Sequence, residues 1–196
     1  MRIVQKGFTL IELMITILIA AILLAITIPG FQSITLKSRQ TSAINNFAAM
    51  IGRARSEAVT RNRQVVVCAS AAPSSANPTC SGANTWETGW IMFAENTTPD
   101  GQYQGGEILL QTGEALPTGV TVRGSGGFAG LIVFSPGTGL LTPLQGGGLK
   151  YCDSRGFADI RVLNVGVSGQ VRVATDSNAN GAVEDAQGNE VEACTP

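Results

Sequence analysis

The side chains that could do chemistry in this chain of 196 residues are its acids and cysteines, because it contains no histidine. The missing histidine removes the commonest general base, the Ser-His and Cys-His nucleophile pairs, and zinc sites that use histidine. The four cysteines form no C-x-x-C pair, which argues against a zinc or thioredoxin-like redox site. The residue types therefore predict that the chain is not an enzyme.

Composition narrows the class of protein further. Apolar residues make up 44% of the chain and charged residues 14%, with a net charge of -1. The apolar fraction argues against intrinsic disorder, and the near-zero charge argues against a strongly basic nucleic-acid binder. The 24 glycines follow no three-residue period, which disfavours collagen and favours a turn-rich β-structure.

Glu12 is the one charged residue in an apolar run that extends from Phe8 to Ile28. A helix of this length spans about 32 Å, enough for the hydrocarbon core of a bilayer. Arg2 and Lys6 precede the run, which places this end in the cytoplasm by the positive-inside rule. A simple membrane anchor explains the apolar residues, but a carboxylate at this depth costs several kcal/mol unless it has a partner.

The junction from Lys6 to Glu12, K-G-F-T-L-I-E, resembles the processing site of type IV prepilins and type II secretion pseudopilins. In that family a prepilin peptidase cuts after the glycine and methylates the new N-terminus. The resemblance implies a leader over residues 1–7, cleavage between Gly7 and Phe8, and N-methylation of Phe8. It also implies that Glu12 acts in assembly by neutralising the N-terminal amine of a neighbouring subunit.

The element that positions Glu12 is predicted to be one long helix in two halves. Residues 8–30 form a transmembrane half, and residues 31–63 form an amphipathic half that carries six basic residues and one acid. Pro29 and Gly30 are expected to interrupt the helix near the membrane edge. Beyond them, apolar residues at helical spacing predict a buried stripe: Ile34, Ile44, Phe47, Ile51, Ala54 and Ala58.

Two further motifs resemble one branch of that family. The sequence A-R-S-E-A-V at residues 54–59 resembles a helix ending of the FimT/GspH branch of minor pilins and pseudopilins. The W-x-x-G-W-x-x-F pattern formed by Trp86, Gly89, Trp90 and Phe93 is similar to a strand entry in FimT/GspH heads, as is F-S-P at 134–136. Taken as residues alone, these aromatics predict core packing.

Residues 64–196, called the head below, are predicted to be periplasmic and rich in β-structure. Short β-branched or aromatic runs between turn residues predict eight strands, at 64–68, 89–94, 107–111, 120–123, 131–134, 149–152, 160–163 and 170–174. The expected fold class is α+β, a long N-terminal pilin helix packed on an antiparallel β-sandwich-like head. The head contains five basic and twelve acidic residues, a net charge of -7.

The cysteines fit two disulfides formed in an oxidising compartment. Cys68 and Cys80 flank a loop rich in Ser, Ala and Pro, and closing a loop of this size stabilises by about 3 kcal/mol. Cys152 would then pair with Cys194, although four cysteines allow three connectivities and the other two stay open. GspH-type pseudopilins typically have fewer cysteines, so the resemblance favours the FimT-like pilus branch.

A candidate calcium site lies in the D-x-N-x-N-G sequence that starts at Asp176 and continues through Asn178 and Asn180. Glu184 is a further candidate ligand. Position twelve of the loop, where an EF-hand requires Glu, is Gln187, so a solvated turn is the competing interpretation. Calcium is the one cofactor considered.

Arg172 is the candidate nucleic-acid contact. Some FimT-like pilins capture DNA through a G-R-x-R motif near the C-terminus, and the corresponding stretch here has Gln170 in place of the first arginine. A single cation on an acidic head gives weak phosphate binding. DNA is therefore disfavoured as a partner, though it stays open.

The resemblance implies a minor pilin of a type IV pilus that is processed by prepilin peptidase and primes assembly or caps or links the fibre tip. The implied partners are other minor pilins, the major pilin and prepilin peptidase. The implied location is a single pass through the inner membrane with a periplasmic head, and later the pilus fibre or pseudopilus. Two alternatives stay open: a DNA-binding pilin for natural transformation, and a GspH-like minor pseudopilin of a type II secretion system.

Overall fold

A long α-helix, α1, begins at Leu10 and ends at Arg61 in the computed structural model of this chain, and a short 3-10 helix lies at Trp86–Thr88. The structure describes residues 7–96, 100–104, 106–156, 159–185 and 188–191, and of residues 26–30 the backbone alone. The helix is continuous across Pro29 and Gly30, so the predicted interruption is wrong. One proline removes a single N–H donor, and the hydrogen bonds on either side keep the helix together. Asn62, with φ 50°, follows the last helical residue in the left-handed conformation that ends helices.

The chain divides into two units, Met1–Arg39 and Gln40–Pro196. Within the described residues, the larger unit contains the C-terminal part of α1 and eight strands, each at a place that the sequence predicts. They are β1 Val65–Ala69, β2 Trp90–Ala94, β3 Ile108–Gly113, β4 Thr121–Gly126, β5 Leu131–Phe134, β6 Gly147–Cys152, β7 Arg161–Val165 and β8 Val171–Val173.

The strands form two four-stranded antiparallel sheets. The first has the order β3-β2-β1-β5 and the second the order β4-β6-β7-β8. In the first sheet Val65 pairs with Ala94 on one side and with Phe134 on the other. β5 follows β4 in the chain yet pairs with β1, so the connection between β4 and β5 links the two sheets.

The main core lies between α1 and both sheets. The helix contributes an apolar stripe, and each sheet contributes the alternate residues of its inner strands, among them Val67, Met92, Leu149 and Leu163. The buried members of the predicted helical stripe are Ile44, Phe47, Ile51, Ala54 and Ala58. Ile34 is exposed instead, because it belongs to the smaller unit and not to the part of the helix that packs on the sheets.

Each sheet also buries residues on its outer face. In the first sheet Val66, Cys68, Ile91, Phe93 and Val133 form a second apolar cluster, against which Cys80 and Tyr103 pack. In the second sheet Cys152, Ile160, Val162 and Ala174 form a third cluster, covered by Val183 and Val191. Because both faces of β1 and β2 are covered, every residue of these two strands is buried.

The aromatic pattern around β2 is part of the core, as its residues alone predict. Trp86 is fully buried, and its indole N–H donates to the carbonyl oxygen of Phe128 at 3.1 Å. Gly89 has φ 117°, and a Cβ atom there would lie 2.8 Å from the carbonyl oxygen of Gly113. The side chain of Trp90 occupies the space where a Cβ atom of Gly113 would be. Glycine is therefore required at both positions by close packing.

A polar network joins α1 to the connection between β6 and β7. The guanidinium of Arg155 contacts the carboxylate of Asp153 at 2.7 Å and that of Asp159 at 3.1 Å. It also donates to Oε1 of Gln40 at 3.0 Å, while Nε2 of Gln40 donates to the carbonyl oxygen of Asp159. Burial acts to raise the pKa of Asp153, but the hydrogen bonds and charge of Arg155 outweigh it and hold that pKa below its usual value.

Candidate assembly site

The helix start next to the predicted cleavage junction is capped by Thr9. The Oγ1 atom of Thr9 accepts the backbone N–H of Glu12 at 3.2 Å, and its carbonyl oxygen accepts that of Leu13 at 3.2 Å. This is the geometry of an N-cap with Glu12 at the third helical position. The sequence signal is T-x-x-E, the capping-box pattern, which the sequence analysis did not use.

Gly7, Phe8 and Glu12 are all exposed at this end of the chain. Gly7 and Phe8 precede the helix, so the bond between them lies in non-helical backbone. Glu12 lies in the first turn, where a negative charge complements the partial positive charge of a helix N-terminus. The structure thus places the predicted processing bond and the predicted assembly carboxylate within two helical turns of each other.

The first turns of α1 expose nearly all of their large apolar side chains. Their exposed fractions range from 49% for Ile15 to 77% for Leu10. The set consists of Leu10, Ile11, Leu13, Met14, Ile15, Ile17, Leu18, Ile19, Ile22, Leu23 and Leu24. Contiguous apolar surface of this extent marks a site of contact with another apolar phase or protein.

Within the described residues, no helix is both long enough and apolar enough to cross a membrane.

The basic residues of the amphipathic half are partly neutralised. Glu57 pairs with Arg61 at 2.5 Å and with Arg53 at 3.8 Å, both at helical i,i+4 spacing. Arg63 donates to the main-chain carbonyl oxygen of Glu95 at 3.4 Å. The side chains of Arg53, Arg61 and Arg63 therefore each have a partner in the larger unit.

Arg172, the candidate nucleic-acid contact, is exposed at the centre of β8, an edge strand of the second sheet. It lines a cavity of about 600 Å³ that Glu184 and Asp185 also line. The cationic side chain therefore shares its cavity with two acidic residues, and the cavity does not form a basic patch.

The candidate calcium ligands at residues 176–184 are occupied by hydrogen bonds of their own loop. The carboxylate of Asp176 accepts the backbone N–H of Gly181 at 2.7 Å and that of Asn180 at 3.2 Å. The oxygen of Asn178 also accepts the N–H of Asn180, and Glu184 accepts the N–H and hydroxyl of Ser177. The structure thus brings Asp176, Asn178 and Asn180 together in one turn. Glu184 instead contacts Ser177, and Gln187 lies outside the described residues.

The predicted disulfide between Cys68 and Cys80 is confirmed, with the two Cα atoms 5.5 Å apart. It fastens the loop of residues 69–79 to the outer face of the first sheet. Cys194 lies outside the described residues, so the pairing of Cys152 with Cys194 stays a prediction. Cys152 itself is buried in the third cluster, beneath residues of the C-terminal segment.

Three further acidic residues, which the sequence patterns did not bring together, meet in the connection between two strands of the first sheet. Glu95, Asp100 and Glu107 bring their carboxylate oxygens within 4.8 Å of one another in the connection between β2 and β3. The signal was available in the sequence. Glu95 follows one predicted strand and Glu107 begins the next, and the two ends of a hairpin connection lie side by side.

A long N-terminal helix packed on antiparallel sheets, with an exposed Gly-Phe junction and an acid in the first turn, defines a pilin-like protein. Residues 2–28 match the prokaryotic N-terminal methylation motif, and residues 43–178 match the family described as type II transport protein GspH. The chain belongs to this GspH family.

Known proteins with sequence similarity are fimbrial proteins. A fimbrial protein of Pseudomonas aeruginosa is 38% identical over 97 residues, which is 50% of this chain and 54% of that protein. Fimbrial protein Q of Moraxella bovis is 53% identical over 45 residues, 23% of this chain and 29% of that protein. The chain thus spans about half the length of the first relative and less of the second.

Two solved structures share the fold. The type IV minor pilin FimU of Pseudomonas aeruginosa aligns with a TM-score of 0.54 and 20% identity, over 82% of this chain and 98% of that protein. A second crystal form of FimU aligns with a TM-score of 0.50 over 79% of this chain and 99% of that protein. The predicted fold class is therefore confirmed.

Proposed function

We propose that this chain is a minor pilin that primes assembly of a type IV pilus or caps or links its tip. The observation that carries the proposal is the exposed apolar surface of α1, which directly follows a capped N-terminus bearing Glu12. A surface of this kind requires a membrane before assembly and neighbouring subunits afterwards. The proposed role is structural, and the family to which the chain belongs is one of structural pilin-like subunits.

The N-terminus supports processing by a prepilin peptidase between Gly7 and Phe8. Both residues are exposed and precede the helix, so a peptidase can reach the bond without unwinding α1. Cleavage creates an amine on Phe8 next to the positive end of the helix dipole. In an apolar fibre interior this amine needs a carboxylate, and Glu12 of a neighbouring subunit supplies one.

The proposed location before assembly is the inner membrane, crossed once by residues 8–30, with the head in the periplasm. The disulfide between Cys68 and Cys80 supports this location of the head, because disulfides persist in oxidising compartments. After assembly the same apolar surface packs between subunits of the fibre. The proposed partners are the major pilin, other minor pilins and, before cleavage, prepilin peptidase.

A minor pseudopilin of a type II secretion system is the second candidate, favoured by the description of the family that residues 43–178 match. It would share the cleavage, the membrane segment and the fold. Deletion of the gene separates the two candidates. Loss of surface pili with normal protein secretion supports the pilus, and the reverse result supports the pseudopilus.

The role of Glu12 is tested by three variants whose effects differ. Glu12→Ala removes both the charge and the side chain at the third helical position. Glu12→Gln removes the charge but keeps a residue that completes a capping box, and Thr9→Ala removes the cap but keeps the charge. We expect all three in the membrane fraction, with fibre incorporation lost in both Glu12 variants and retained in Thr9→Ala.

The readout is the amount of each variant in sheared fibres relative to the membrane, by quantitative immunoblot. Mass spectrometry of the fibre protein should show a chain that begins at methylated Phe8. Normal incorporation of Glu12→Gln would show that the charge has no role in assembly. An intact Met1 in assembled fibres would overturn the proposal as a whole.

A further inference from the structure

The connection between β2 and β3 holds three carboxylates in one place. Glu95 directly follows β2, Glu107 directly precedes β3, and Asp100 lies in the connection between them. Ala94 and Ile108, the neighbours of the two glutamates, are paired across the two strands, which brings the glutamates together. One oxygen from each of the three carboxylates lies within 4.8 Å of the other two.

Glu95 is the unusual member of this cluster because it is fully buried. Its Oε1 atom accepts the backbone N–H of Gly101 at 2.8 Å. Its Oε2 atom is also buried and has no hydrogen-bond partner among the described residues. A buried oxygen without a partner costs free energy unless a proton or a cation satisfies it.

Among the described residues, no ion pair supplies positive charge to the three carboxylates. Asp100 accepts hydrogen bonds from Gln102 and Gln104, and Glu107 accepts the N–H of Gln104 at 2.8 Å. Within the described part of the chain, the ion pairs involve none of the three acids. Arg63 reaches only the main-chain carbonyl oxygen of Glu95.

The electrostatics of the cluster follow from this arrangement. Burial, together with the neighbouring carboxyls of Glu107 and Asp100, raises the pKa of Glu95 to about 7, against the opposing effect of the Gly101 N–H. A bound dication satisfies the same oxygens without a proton.

We propose that Glu95, Asp100 and Glu107 bind one divalent cation, and that this cation is Ca²⁺. The donors are all carboxylate oxygens, the ligands of hard cations, and thiolate or imidazole ligands of softer metals are not among them. Calcium binds oxygens at about 2.3–2.6 Å, so two oxygens on one ion lie up to about 5 Å apart, as the spacing here allows.

The cation stabilises the loop that covers the outer face of the first sheet. Tyr103 in this loop stacks edge-on against Phe93 of β2, with ring centroids 5.4 Å apart. Both rings belong to the second apolar cluster, together with the disulfide-bonded Cys68 and Cys80. The cation at one end of this cover and the disulfide at the other hold it on the sheet. This site is distinct from the Asp176 turn, whose oxygens accept hydrogen bonds of their own loop.

The test uses the full chain in a non-ionic detergent, stripped with EDTA and titrated with CaCl2 by calorimetry at pH 8. We expect one ion per chain with a dissociation constant on the order of 10⁻⁴–10⁻³ M, as in extracellular calcium modules. At 10 mM CaCl2 the unfolding equilibrium constant should fall by about 10- to 100-fold.

Two site variants and one control define the location. Glu95→Gln keeps an acceptor for the N–H of Gly101 and should weaken calcium binding at least tenfold. Asp100→Asn should weaken calcium binding to the same extent, and because Asp100 is exposed this substitution should not affect folding. Asp176→Asn should bind as the wild type does. Failure of the folded wild-type chain to bind at 10 mM CaCl2 would overturn the proposal. Loss of binding in Asp176→Asn with retention in Asp100→Asn would overturn it too, and would place the ion in the C-terminal turn.

Discussion

Replacing Arg155 with alanine should destabilise the larger unit by about 3–5 kcal/mol, because it leaves a buried carboxylate without its cation. The side chain of Asp153 is 1% exposed, and its carboxylate accepts three hydrogen bonds from the guanidinium of Arg155. The same guanidinium donates to Gln40 on α1. The substitution therefore breaks both a buried ion pair and a link between the helix and the second sheet.

Urea unfolding of the full chain in non-ionic detergent measures this loss. Both tryptophans, Trp86 and Trp90, are buried in the head, so their fluorescence reports the unfolding of that part alone. Arg161→Ala is the matched control, because among the described residues the guanidinium of Arg161 donates to the adjacent carbonyl oxygen of Ile160 and forms no ion pair. We expect the control to change the free energy of unfolding by less than about 0.5–1 kcal/mol. Asp153→Leu combined with Arg155→Met should recover most of the loss, because no unpaired charge is then buried.

The pH dependence separates the ion pair from simple loss of packing. In the wild type the pKa of Asp153 is lowered, so its stabilisation is present above about pH 4 and is lost as the pH falls through the lowered value. In Arg155→Ala, the backbone N–H of residue 155 still donates to Asp153, but the guanidinium no longer opposes burial. The pKa of Asp153 therefore rises above its wild-type value, and the destabilisation caused by the substitution shrinks as the pH falls from 7 towards 4. The gap between the two proteins should therefore narrow in acid. A gap that is constant with pH, or a loss below 1 kcal/mol at pH 7, would refute the reasoning.

Three further outcomes are expected. Cys68→Ser combined with Cys80→Ser should lower the free energy of unfolding by about 3 kcal/mol, measured by urea unfolding against a wild-type sample whose disulfide is intact. An unchanged urea midpoint would show that closing the loop contributes no stability. Trp86→Phe should cost about 2–3 kcal/mol in the same assay, because it leaves the buried carbonyl of Phe128 without its donor; a loss below 0.5 kcal/mol would contradict this. The wild-type chain should give no gel shift with double-stranded DNA at physiological salt. Gln170→Arg should gain partial DNA binding, because it places a second cation near Arg172. Tight DNA binding by the wild type that is abolished in Arg172→Ala would instead support DNA uptake.

The strands and the helix could be predicted because their signals are local. β-branched runs between turn residues mark each strand, and the helical stripe ends where Asn62 takes a left-handed conformation. Ile34 shows the limit of periodicity, because an apolar residue at helical spacing does not reveal which surface covers it. The N-terminal site could be read from seven consecutive residues, since its parts are neighbours in sequence as well as in space.

The rest depended on contacts between residues far apart in the chain. Arg155 and Gln40 are separated by 115 positions, and nothing in either local sequence indicates that they meet. The pairing of β5 with β1 could not be predicted either, because the order of strands in a sheet depends on the packing of the whole unit and not on the sequence of each strand. Glu95 was missed for a different reason. Its burial follows from the loop that closes over the outer face of β2, and burial of a carboxylate is the opposite of what its residue type predicts.

The covered outer faces of the two sheets determine where the head can differ from its relatives. A strand that is buried on both faces tolerates few amino-acid substitutions, because each side chain must fit a packed environment. β1 and β2 are such strands. Variation is then left to the connecting segments, namely 70–85, 95–107, 135–146 and 175–191. On β-scaffolds the connecting segments tolerate change better than the buried strands do, as binding loops show on other β-proteins. Exchanging one of them with the corresponding segment of a related head should transfer the choice of neighbouring subunit while the strand registers stay as they are.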